Sequence, residues 1–506
     1  MIPVFSAASV RSVDAAAIAH GVPEAAWMDR AAQACLVRIL AQEKKLHLDP
    51  VPNYHVVAGK GNNGGDGLLI ARGLSKAGRT VRVSIVEHSD RSSSGHELAT
   101  ARLAEVPVRI DHIKDSDGSI QIIDNEIIID CILGTGTTRP ATGLLARVVE
   151  DINRSQAYVV AIDLPSGTAD PGTPSETGPV IRADLTLTIE TPKMPLLLPE
   201  TGRDAGSWEL LRIGLDPWYP AGEPRLANWV EPLDIRKLLR PRARFTHKGS
   251  HGHALLMVGG PGCHGAALLA ARGCSRSGVG LFTVHGPAGT IAPLTAALPD
   301  AMTSLDPSGE MISEVPDLER YTSVLFGPGV GRSEHSAKAL RQLLARWSGP
   351  LVIDADGLNL LAVEAELINA LNTNVILTPH PREMDRLLGT PSTSGFDRLQ
   401  RTGEFAHRHG CHIVLKGAYT AVCSPDGAIY FLPTGNAGMA KGGTGDVLAG
   451  IIAGLSAQQY EQLDSSLIST YLHGRSGDLA AARLGMDAMR ASDLVDHLSG
   501  AWKELR

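Results

Sequence analysis

The stretch that decides the fold of this chain is Asn436–Leu455, which reads N-A-G-M-A-K-G-G-T-G-D-V-L-A-G-I-I-A-G-L. Glycines at 442, 443 and 445 precede Asp446, and the apolar residues from Val447 to Leu455 recur three or four positions apart. This spacing predicts a glycine-rich loop that leads into a buried helix. Such a loop lets the backbone approach an anion, which the free N–H groups and the dipole of the helix then hold.

Asp446 is an unusual neighbour for an anion site, because a carboxylate repels phosphate. The exception is a carboxylate that accepts the proton of a hydroxyl group while that hydroxyl attacks the phosphate. A kinase needs this combination of a binding site for the phosphoryl charge and a base for the nucleophile. The alternative is that Gly442–Gly445 forms only a tight turn, with Asp446 as its helix cap.

The whole stretch resembles the signature of the ribokinase-like superfamily, and in particular its ADP- or ATP-dependent NAD(P)H-hydrate dehydratase branch. The resemblance implies that Asp446 is the catalytic base. It also implies that the phosphoryl charge lies against the backbone of Gly442, Gly443, Thr444 and Gly445.

The length and composition of the chain exclude several classes of protein. Its 506 residues predict two domains of about 200–270 residues each. The net charge of −7 argues against a nucleic-acid or membrane surface. No apolar run reaches the ~18 residues of a membrane span, and the N-terminus lacks the basic flank and apolar core of a signal peptide. The six scattered cysteines form no Cys-x-x-Cys pair, which is typical of the reducing cytoplasm.

The first half of the chain contains a glycine-rich loop of its own. Residues 6–42 predict two helices that are interrupted at Gly21-Val22-Pro23. Tyr54–Ala58 predicts a strand, which is followed by Gly59–Gly67 (G-K-G-N-N-G-G-D-G) and an amphipathic helix. This order is typical of phosphate binding in a doubly wound sheet. The loop is not a Walker A motif, and its match to the G-x-G-x-x-G fingerprint is unspecific.

Two further predicted strands end in loops with polar residues. Ile127–Cys131 runs into Gly134-Thr135-Gly136, and Tyr158–Ile162 runs into the D-L-P-S-G sequence that begins at residue 163. In an open α/β sheet such loops converge on one crevice. Asn63, Asp130 and Ser166 could there offer an amide oxygen, a carboxylate and a hydroxyl, which suit a weakly charged cation better than zinc or copper. Taken singly, each is more often a turn or cap residue.

These motifs, together with Ala183–Glu190 and Thr191-Pro192-Lys193, resemble the NAD(P)H-hydrate epimerase domain over residues 1–222. The resemblance implies that Asn63, Asp130 and Ser166 hold K⁺ and that Asp163 is the catalytic residue that transfers protons. The family usually has Glu-Asn-Ala-Gly where this chain has Asp29-Arg30-Ala31-Ala32, which puts full epimerase activity and the oligomeric state in question. The implied hydrate-binding residues are Asn62, Asn63, Gly64, Gly65, Asp66, Gly134, Thr135, Gly136, Thr137, Thr138, Arg139, Pro140 and Asp163.

The second half begins after Pro217–Pro232, a stretch of little periodicity where we place the domain boundary, so that the second domain covers residues 234–506. Short apolar runs alternate with helical segments, which predicts a mostly parallel sheet. The first two predicted strands are Ala254–Val258 and Val279–Val284. The later loops at strand ends read G-P-G, D-A-D-G-L-N, T-P-H-P-R-E and L-K-G.

The order of these loops matches the hydrate dehydratases from end to end, and His380 within Thr-Pro-His is more particular to them than to the vitamin kinases of the superfamily. The resemblance implies hydrate contacts at Ala266, Gly329, His380 and Asp446. It implies ADP or ATP, accompanied by Mg²⁺, as co-substrate. The implied nucleotide contacts are Lys416, Gly417, Ala418, Tyr419, Thr420 and Gly445.

Two groups of histidines imitate metal sites. His247, His251 and His253 alternate with glycines and lack carboxylates, while His407, His409 and His412 span a helix end and a strand start, where their side chains diverge. We do not expect either group to bind zinc.

The sequence therefore predicts an α/β chain with an N-terminal Rossmann-like αβα sandwich and a C-terminal ribokinase-like αβα domain. The resemblance implies a cytoplasmic homo-oligomer that epimerises the R and S hydrates of NADH and NADPH and dehydrates the S form at the expense of ADP or ATP. One alternative is a kinase for a vitamin alcohol with a regulatory N-terminal half. Another is an N-terminal half that only senses nucleotides.

Overall fold

The computed structural model describes residues 1–46, 52–117, 119–123, 125–135, 140–171 and 178–506. The chain divides into two compact units. Ile2–Leu226 form the first unit, and Ala227–Arg506 form the second together with Met1.

The helices and strands of the N-terminal unit follow one another in α/β order. They are β1 (Ile2–Phe5), α1 (Ala7–Ala19), α2 (Glu24–Leu46), β2 (Asn53–Ala58), α3 (Asn62–Lys76), β3 (Val81–Val86), α4 (Ser94–Leu103), β4 (Arg109–Ile113), β5 (Glu126–Cys131), α5 (Gly143–Arg154), β6 (Tyr158–Ile162), β7 (Leu185–Ile189), α6 (Met194–Leu197), α7 (Pro199–Gly202) and β8 (Ser207–Leu211).

The sheet of the N-terminal unit is parallel throughout, with the strand order β4-β3-β2-β5-β6-β7-β8. Successive residues of β2 pack into different cores, since Val56 joins one apolar cluster and Val57 the other. Both faces of the sheet are therefore covered, as expected of parallel strands. The direction of winding reverses between β2 and β5, and the loops that follow these two strands open a crevice at the carboxyl edge.

The C-terminal unit repeats this alternation. Its elements are β9 (Arg225–Trp229), α8 (Pro232–Leu238), β10 (His253–Met257), α9 (His264–Arg276), β11 (Leu281–Gly286), α10 (Ala288–Ala297), β12 (Met302–Leu305), β13 (Ser323–Phe326), α11 (Glu334–Arg346), β14 (Leu351–Ile353), α12 (Asp356–Val363), α13 (Ala365–Ile368), β15 (Val375–Leu377), α14 (Pro381–Leu387), α15 (Gly395–His409), β16 (His412–Leu415), β17 (Ala421–Cys423), β18 (Ile429–Phe431), α16 (Thr444–Ala457), α17 (Gln462–Leu484) and α18 (Ala491–Leu505).

The sheet of the C-terminal unit has the order β9-β18-β17-β16-β15-β14-β13-β10-β11-β12. The strands from β12 to β16 are parallel, whereas β17 runs antiparallel to both of its neighbours. Winding reverses between β10 and β13, which places the loops after these strands at a second switch point.

Helices α9 and α16 pack unusually closely in the core of this unit. A methyl group on Gly450 would lie 2.0 Å from the carbonyl oxygen of Ala270, and one on Gly273 would lie 2.4 Å from that of Val447. Every residue of α16 from Val447 to Ala457 is buried. The glycines of the apolar run therefore set the position of α16, and with it the position of the glycine-rich loop that precedes the helix.

The predicted fold class is confirmed, with two units that each place helices around a mostly parallel sheet. Strand β9 is one of the strands that were not predicted: it lies within the Pro217–Pro232 stretch, where its five residues show no alternating pattern. Its conformation depends on pairing with β18, some two hundred residues away, including a bond from Asn228 to the carbonyl of Ile429 (|i−j| = 201). Among the described residues, no helix is both long and apolar enough to cross a membrane.

Candidate active sites

The crevice of the N-terminal unit encloses a cavity of about 480 Å³. It is walled by the loops that follow β2, β5, β6 and β7 and closed by α1 and α2. The polar side chains and turn residues that line it include Asp14, Asn62, Asn63, Asp66, Gly134, Thr135, Asp163, Glu190, Thr191 and Lys193.

Asp163 is held rigidly at the end of β6. Its backbone is left-handed, with φ +69°, a conformation that costs energy for a residue other than glycine. Lys193 lies 2.6 Å from one carboxylate oxygen, and the hydroxyl of Thr135 donates to the other at 2.5 Å. Burial raises the pKa of Asp163. The charge of Lys193 and the hydrogen bonds from Lys193 and Thr135 lower the pKa by a larger amount, so the net pKa lies below the usual value. Asp163 is therefore ionised at neutral pH and able to accept a proton.

The three predicted ligands of a cation lie together beneath this cavity. Ser166 donates its hydroxyl to one oxygen of Asp130 at 2.6 Å and its backbone N–H to the other at 2.8 Å. The amide nitrogen of Asn63 donates to the carbonyl oxygens of Leu133 and Ile162, at 2.9 and 3.2 Å. The buried amide oxygen of Asn63 has no hydrogen-bond partner. The unpaired amide oxygen of Asn63, the carboxylate of Asp130 and the hydroxyl of Ser166 are oxygen ligands of the kind that suits a monovalent cation.

Two further carboxyl groups that line the cavity have raised pKa values. Asp66 is buried, one of its oxygens has no partner, and burial together with the charge of Asp163 raises its pKa well above the usual value. Burial also raises the pKa of Asp14, on α1, to about 6, while Lys193 opposes the shift. Asp14 was not identified from the sequence. A single acid in an Ala-rich helix carries no local signal of function.

The remaining predicted residues of this unit occupy different places. Gly64 and Gly65 are buried and do not line the cavity. A methyl group on Gly64 would lie 1.8 Å from the carbonyl of Gly59, and one on Gly65 would lie 2.8 Å from Met28. Their contribution is close packing. Pro140 is partly exposed. Gly136, Thr137, Thr138 and Arg139 lie outside the described residues.

The departure from the family pattern on α2 has a structural explanation. Asp29 forms an ion pair with Arg102 at 2.6 Å, and Arg30 donates to the carbonyl of Ile213 at 3.3 Å. Ala31 lines the cavity, while Ala32 is buried. The two charged side chains are thus engaged away from Asp163, and the helix still presents a small residue to the cavity.

The glycine-rich loop of the C-terminal unit leads into α16 as predicted. Gly443 has φ +92°, a left-handed conformation that favours glycine, and a methyl group on it would lie 2.5 Å from the side chain of Leu269. The first N–H groups of α16 lack partners within the helix. Free N–H groups of this kind, here those of Thr444, Gly445 and Asp446, can bind an anion.

Asp446 lies in the first turn of α16 beside a cluster of charged side chains. Burial raises the pKa of its carboxyl to about 7, with a further contribution from Asp354, and Lys416 opposes the shift. A carboxyl that titrates near neutral pH is suited to accept a proton from a substrate hydroxyl.

Lys416 follows β16 and connects this acid cluster to the loop. Its ammonium lies 2.9 Å from Asp354 and 3.9 Å from Glu383. Burial lowers the pKa of Lys416, but these carboxylates raise it by more, so the side chain remains charged. A methyl group on Gly445 would lie 3.2 Å from its ammonium. The anion site therefore has a fixed positive charge on one side.

The predicted hydrate-binding residues surround the second switch point. Gly329, with φ +71°, lies beside Ala266, since a methyl group on it would be 3.5 Å from the side chain of Ala266. Cys263 is exposed nearby and was not identified from the sequence. His380 caps α14, where its ring Nδ1 accepts from the N–H of Arg382 at 3.1 Å and its backbone N–H donates to the carboxylate of Glu383 at 2.8 Å. This histidine thus has a structural role in addition to any contact with substrate.

The predicted nucleotide-binding residues form the exposed edge of the site. Gly417 and Ala418 are exposed after β16, and the ring of Tyr419 lies 5.8 Å from that of Trp229. Gly442 is also exposed. Thr420 donates to the carbonyl of Gly417 at 3.4 Å.

Two residues near the loop were missed by sequence reasoning. His473 contacts the carbonyl oxygen of Thr444 at 2.9 Å through its Nε2 atom. The ammonium of Lys441 donates to three carbonyls, at 2.6 Å to Asp487, 2.6 Å to Met489 and 3.3 Å to Met486. Both interactions join the loop to segments far along the chain, so neither leaves a local pattern.

The two histidine groups make ordinary structural contacts. His253 is bonded to Thr283 at 2.8 Å, and His412 is buried in β16. Within the described part of the chain, no three His, Cys, Asp or Glu side chains are arranged to hold a metal ion.

These features describe an α/β chain of two units with a candidate active site in each. Models of two protein families match the chain. Residues 24–194 match the YjeF-related protein N-terminus, and residues 254–499 match NAD(P)H-hydrate dehydratase.

Relatives match across both units. The chain is 35% identical over 459 residues to the bifunctional NAD(P)H-hydrate repair enzyme Nnr of Moorella thermoacetica, covering 88% of this chain and 86% of the relative. It is 34% identical over 454 residues to the enzyme of the same name from Escherichia coli (strain K12), covering 88% and 84%. The chain belongs to the family of bifunctional NAD(P)H-hydrate repair enzymes.

A solved structure, the ADP/ATP-dependent NAD(P)H-hydrate dehydratase of Bacillus subtilis co-crystallised with ATP and Mg²⁺, is 30% identical. The match covers 56% of this chain and 99% of that one, with a TM-score of 0.48.

Proposed function

We propose that this chain repairs hydrated NADH and NADPH. The N-terminal domain (residues 1–222) interconverts the R and S hydrates, and the C-terminal domain (residues 234–506) dehydrates the S form with ADP or ATP. With ADP the products are the dihydronicotinamide, AMP and phosphate. The observation that carries this proposal is the Asp446 carboxyl, with a pKa of about 7, at the glycine-lined N-terminus of α16 in a member of this family.

Dehydration needs the hydroxyl on C6 of the nicotinamide ring to become a good leaving group. Asp446 accepts its proton while its oxygen takes the terminal phosphoryl group of the nucleotide. The lone pair of the ring nitrogen then expels phosphate from C6, and loss of a proton from C5 restores the double bond.

Lys416 and the N–H groups of Thr444, Gly445 and Asp446 would stabilise the charge of the transferring phosphoryl group, an assignment supported by the closeness of Gly445 to the ammonium of Lys416. The carboxylates Asp354 and Glu383 beside Lys416 offer oxygen ligands of the type that Mg²⁺ prefers. Mg²⁺ held there with the nucleotide would supply positive charge against the phosphates.

Epimerisation inverts the C6 carbon, which bears both the hydroxyl and the ring nitrogen. The ionised Asp163 accepts the hydroxyl proton as the bond from C6 to nitrogen opens, and returns it after the ring closes on the other face. Thr135 and Lys193 hold the carboxylate in place for both steps. The residues that would hold K⁺ are Asn63, Asp130 and Ser166, where the ion would supply positive charge. We also expect a homo-oligomer in the cytoplasm.

A mixture of R and S hydrates tests the proposal directly. Purified protein is incubated with the mixture and ADP, and recovered dihydronicotinamide absorbance and released phosphate are measured. We expect the wild type to recover both epimers, Asp163→Asn to recover only the S form, and Asp446→Asn to recover neither. A stable phosphorylated product without phosphate release would instead indicate a vitamin-type kinase. Full activity of Asp163→Asn on the R form would indicate that the N-terminal domain only binds nucleotides and does not catalyse epimerisation.

A further inference from the structure

Helix α17 lies behind the glycine-rich loop and bonds to it at several points. His473, which is 8% exposed, contacts the carbonyl oxygen of Thr444 at 2.9 Å through Nε2. Farther along α17, Asp478 accepts from the N–H of Gly435 at 3.2 Å and from the side chain of Asn436 at 3.0 Å. The loop is thus attached to one rigid helix both at its start and at the first residue of α16.

The contact to Thr444 controls the direction of the next amide. A carbonyl can only accept, so the Nε2 atom of His473 carries the hydrogen. In a trans peptide the C=O of one residue and the N–H of the next point in opposite directions. Fixing the Thr444 carbonyl towards His473 therefore directs the N–H of Gly445 away from α17. A methyl group on Gly445 would lie 3.2 Å from the ammonium of Lys416, so Gly445 itself faces the charged side of the site.

The chemical state of His473 suits this task. Burial lowers the pKa of its imidazole to about 4, and the charge of Lys416 contributes. The ring is therefore neutral at physiological pH. A neutral donor fixes the carbonyl without adding a positive charge that would compete with Lys416 for the phosphoryl group.

We infer that His473 is a positioning residue for phosphoryl transfer: its hydrogen bond to Thr444 orients the Gly445 amide towards the transferring phosphate. The inference rests on the proposed dehydratase function. His473 acts through the peptide that joins residues 444 and 445, whose carbonyl oxygen it contacts.

Two variants of similar size separate the hydrogen bond from packing. His473→Gln keeps an N–H donor at nearly the same reach, whereas His473→Met fills the space without a donor. We expect the turnover number for dehydration at saturating ADP to fall about 10- to 100-fold in His473→Met, as a misplaced transition-state donor predicts. In His473→Gln it stays within about threefold, and the KM for the hydrate changes little in either variant.

The N-terminal domain provides a control on the same protein, because neither variant alters its epimerase activity. Hydrogen exchange gives a readout independent of the reaction, with the amides of residues 443–446 exchanging faster in His473→Met than in His473→Gln. If His473→Met does not fold, His473→Asn, whose side chain is too short to reach Thr444, replaces it.

Equal turnover numbers for the Gln and Met variants, or unchanged exchange at residues 443–446, would overturn the role of His473. A wild-type protein that does not dehydrate the hydrate would overturn the proposed function instead. The hydrogen-exchange comparison distinguishes these two failures, because it does not depend on dehydration.

Discussion

The pH dependence of dehydration follows from the pKa of Asp446. The carboxyl must be ionised to accept a proton, and its pKa of about 7 makes it half ionised at neutral pH. Its ionised fraction rises from roughly 10% at pH 6 to roughly 90% at pH 8. The turnover number should therefore rise about tenfold over this range and fall about tenfold for each further unit below pH 6.

Dehydration of the purified S hydrate at saturating ADP, measured from pH 5 to 9, tests this prediction. Asp446→Asn should reduce the turnover number by about 10²- to 10⁴-fold and abolish the rise with pH, since an amide cannot accept the proton. A profile that stays flat between pH 6 and 8 in the wild type would refute the assignment of Asp446 as the base.

The variant Asp356→Asn provides a matched control for the pH at which the turnover number rises. The charge of Asp356 contributes to the raised pKa of Asp446. Asp356 also accepts a hydrogen bond from the N–H of Gly331 at 3.0 Å, which the amide oxygen of an asparagine would retain. Asp356→Asn should therefore move the rising limb to lower pH without removing activity. A shift to higher pH would contradict the electrostatic account.

The raised pKa of Asp446 should also affect the stability of the protein as a function of pH. The native pKa of Asp446 lies above that of an unfolded aspartate, about 3.9, so the native state binds more protons between about pH 4 and 7. This carboxyl therefore favours folding at acidic pH, and its contribution is lost as the pH rises through 7. The melting temperature of Asp446→Asn relative to the wild type should increase from pH 5 to pH 8, as measured by calorimetry.

Three other variants test the remaining geometry. Lys193→Met removes the charge that lowers the pKa of Asp163, so burial dominates and the acidic limb of the epimerase profile should move to higher pH, as measured with the R hydrate. Asn63→Leu replaces the unpaired amide oxygen with an apolar group, and any stimulation of epimerase activity by K⁺ over Li⁺ should disappear. Gly443→Ala forces a methyl group to 2.5 Å from Leu269 at φ +92°, and dehydration should fall at least about tenfold while epimerisation is retained.

The parts of the fold that were predicted correctly are those with local signals. The interruption at Gly21-Val22-Pro23 separates α1, which ends at Ala19, from α2, which begins at Glu24. The glycines before Asp446 mark the start of α16 at Thr444. In both cases the residues that fix the boundary lie at the boundary itself.

The limits of strands were less accurate, because pairing with neighbours determines them. The second strand of the C-terminal unit was predicted at Val279–Val284 and is observed as β11, Leu281–Gly286, in register with the whole of β10. The antiparallel strands β17 and β18 were not predicted, since three residues are too few to show an alternating pattern.

The candidate sites show the same difference between residues that a local motif marks and residues that depend on distant contacts. Asp163 and Asp446 could be proposed from the sequence because each directly follows a strand or glycine motif. Lys193 and His473 could not be assigned a role, because each contacts a partner about thirty residues away (|i−j| = 29 for His473 and Thr444) across a fold that has to form first. Within α17, His473 lies among buried residues with nothing in the helical pattern to distinguish it.

The three carbonyls that accept hydrogen bonds from the ammonium of Lys441 have a consequence for the order of folding during synthesis. They lie 45, 46 and 48 residues downstream of this lysine. While the ribosome is still adding those residues, the strands already synthesised can pair. The ammonium of Lys441, at the start of the glycine-rich loop, does not yet have these three carbonyl partners. A nascent chain should therefore gain its epimerase pocket first and become competent for phosphoryl transfer only near the close of translation.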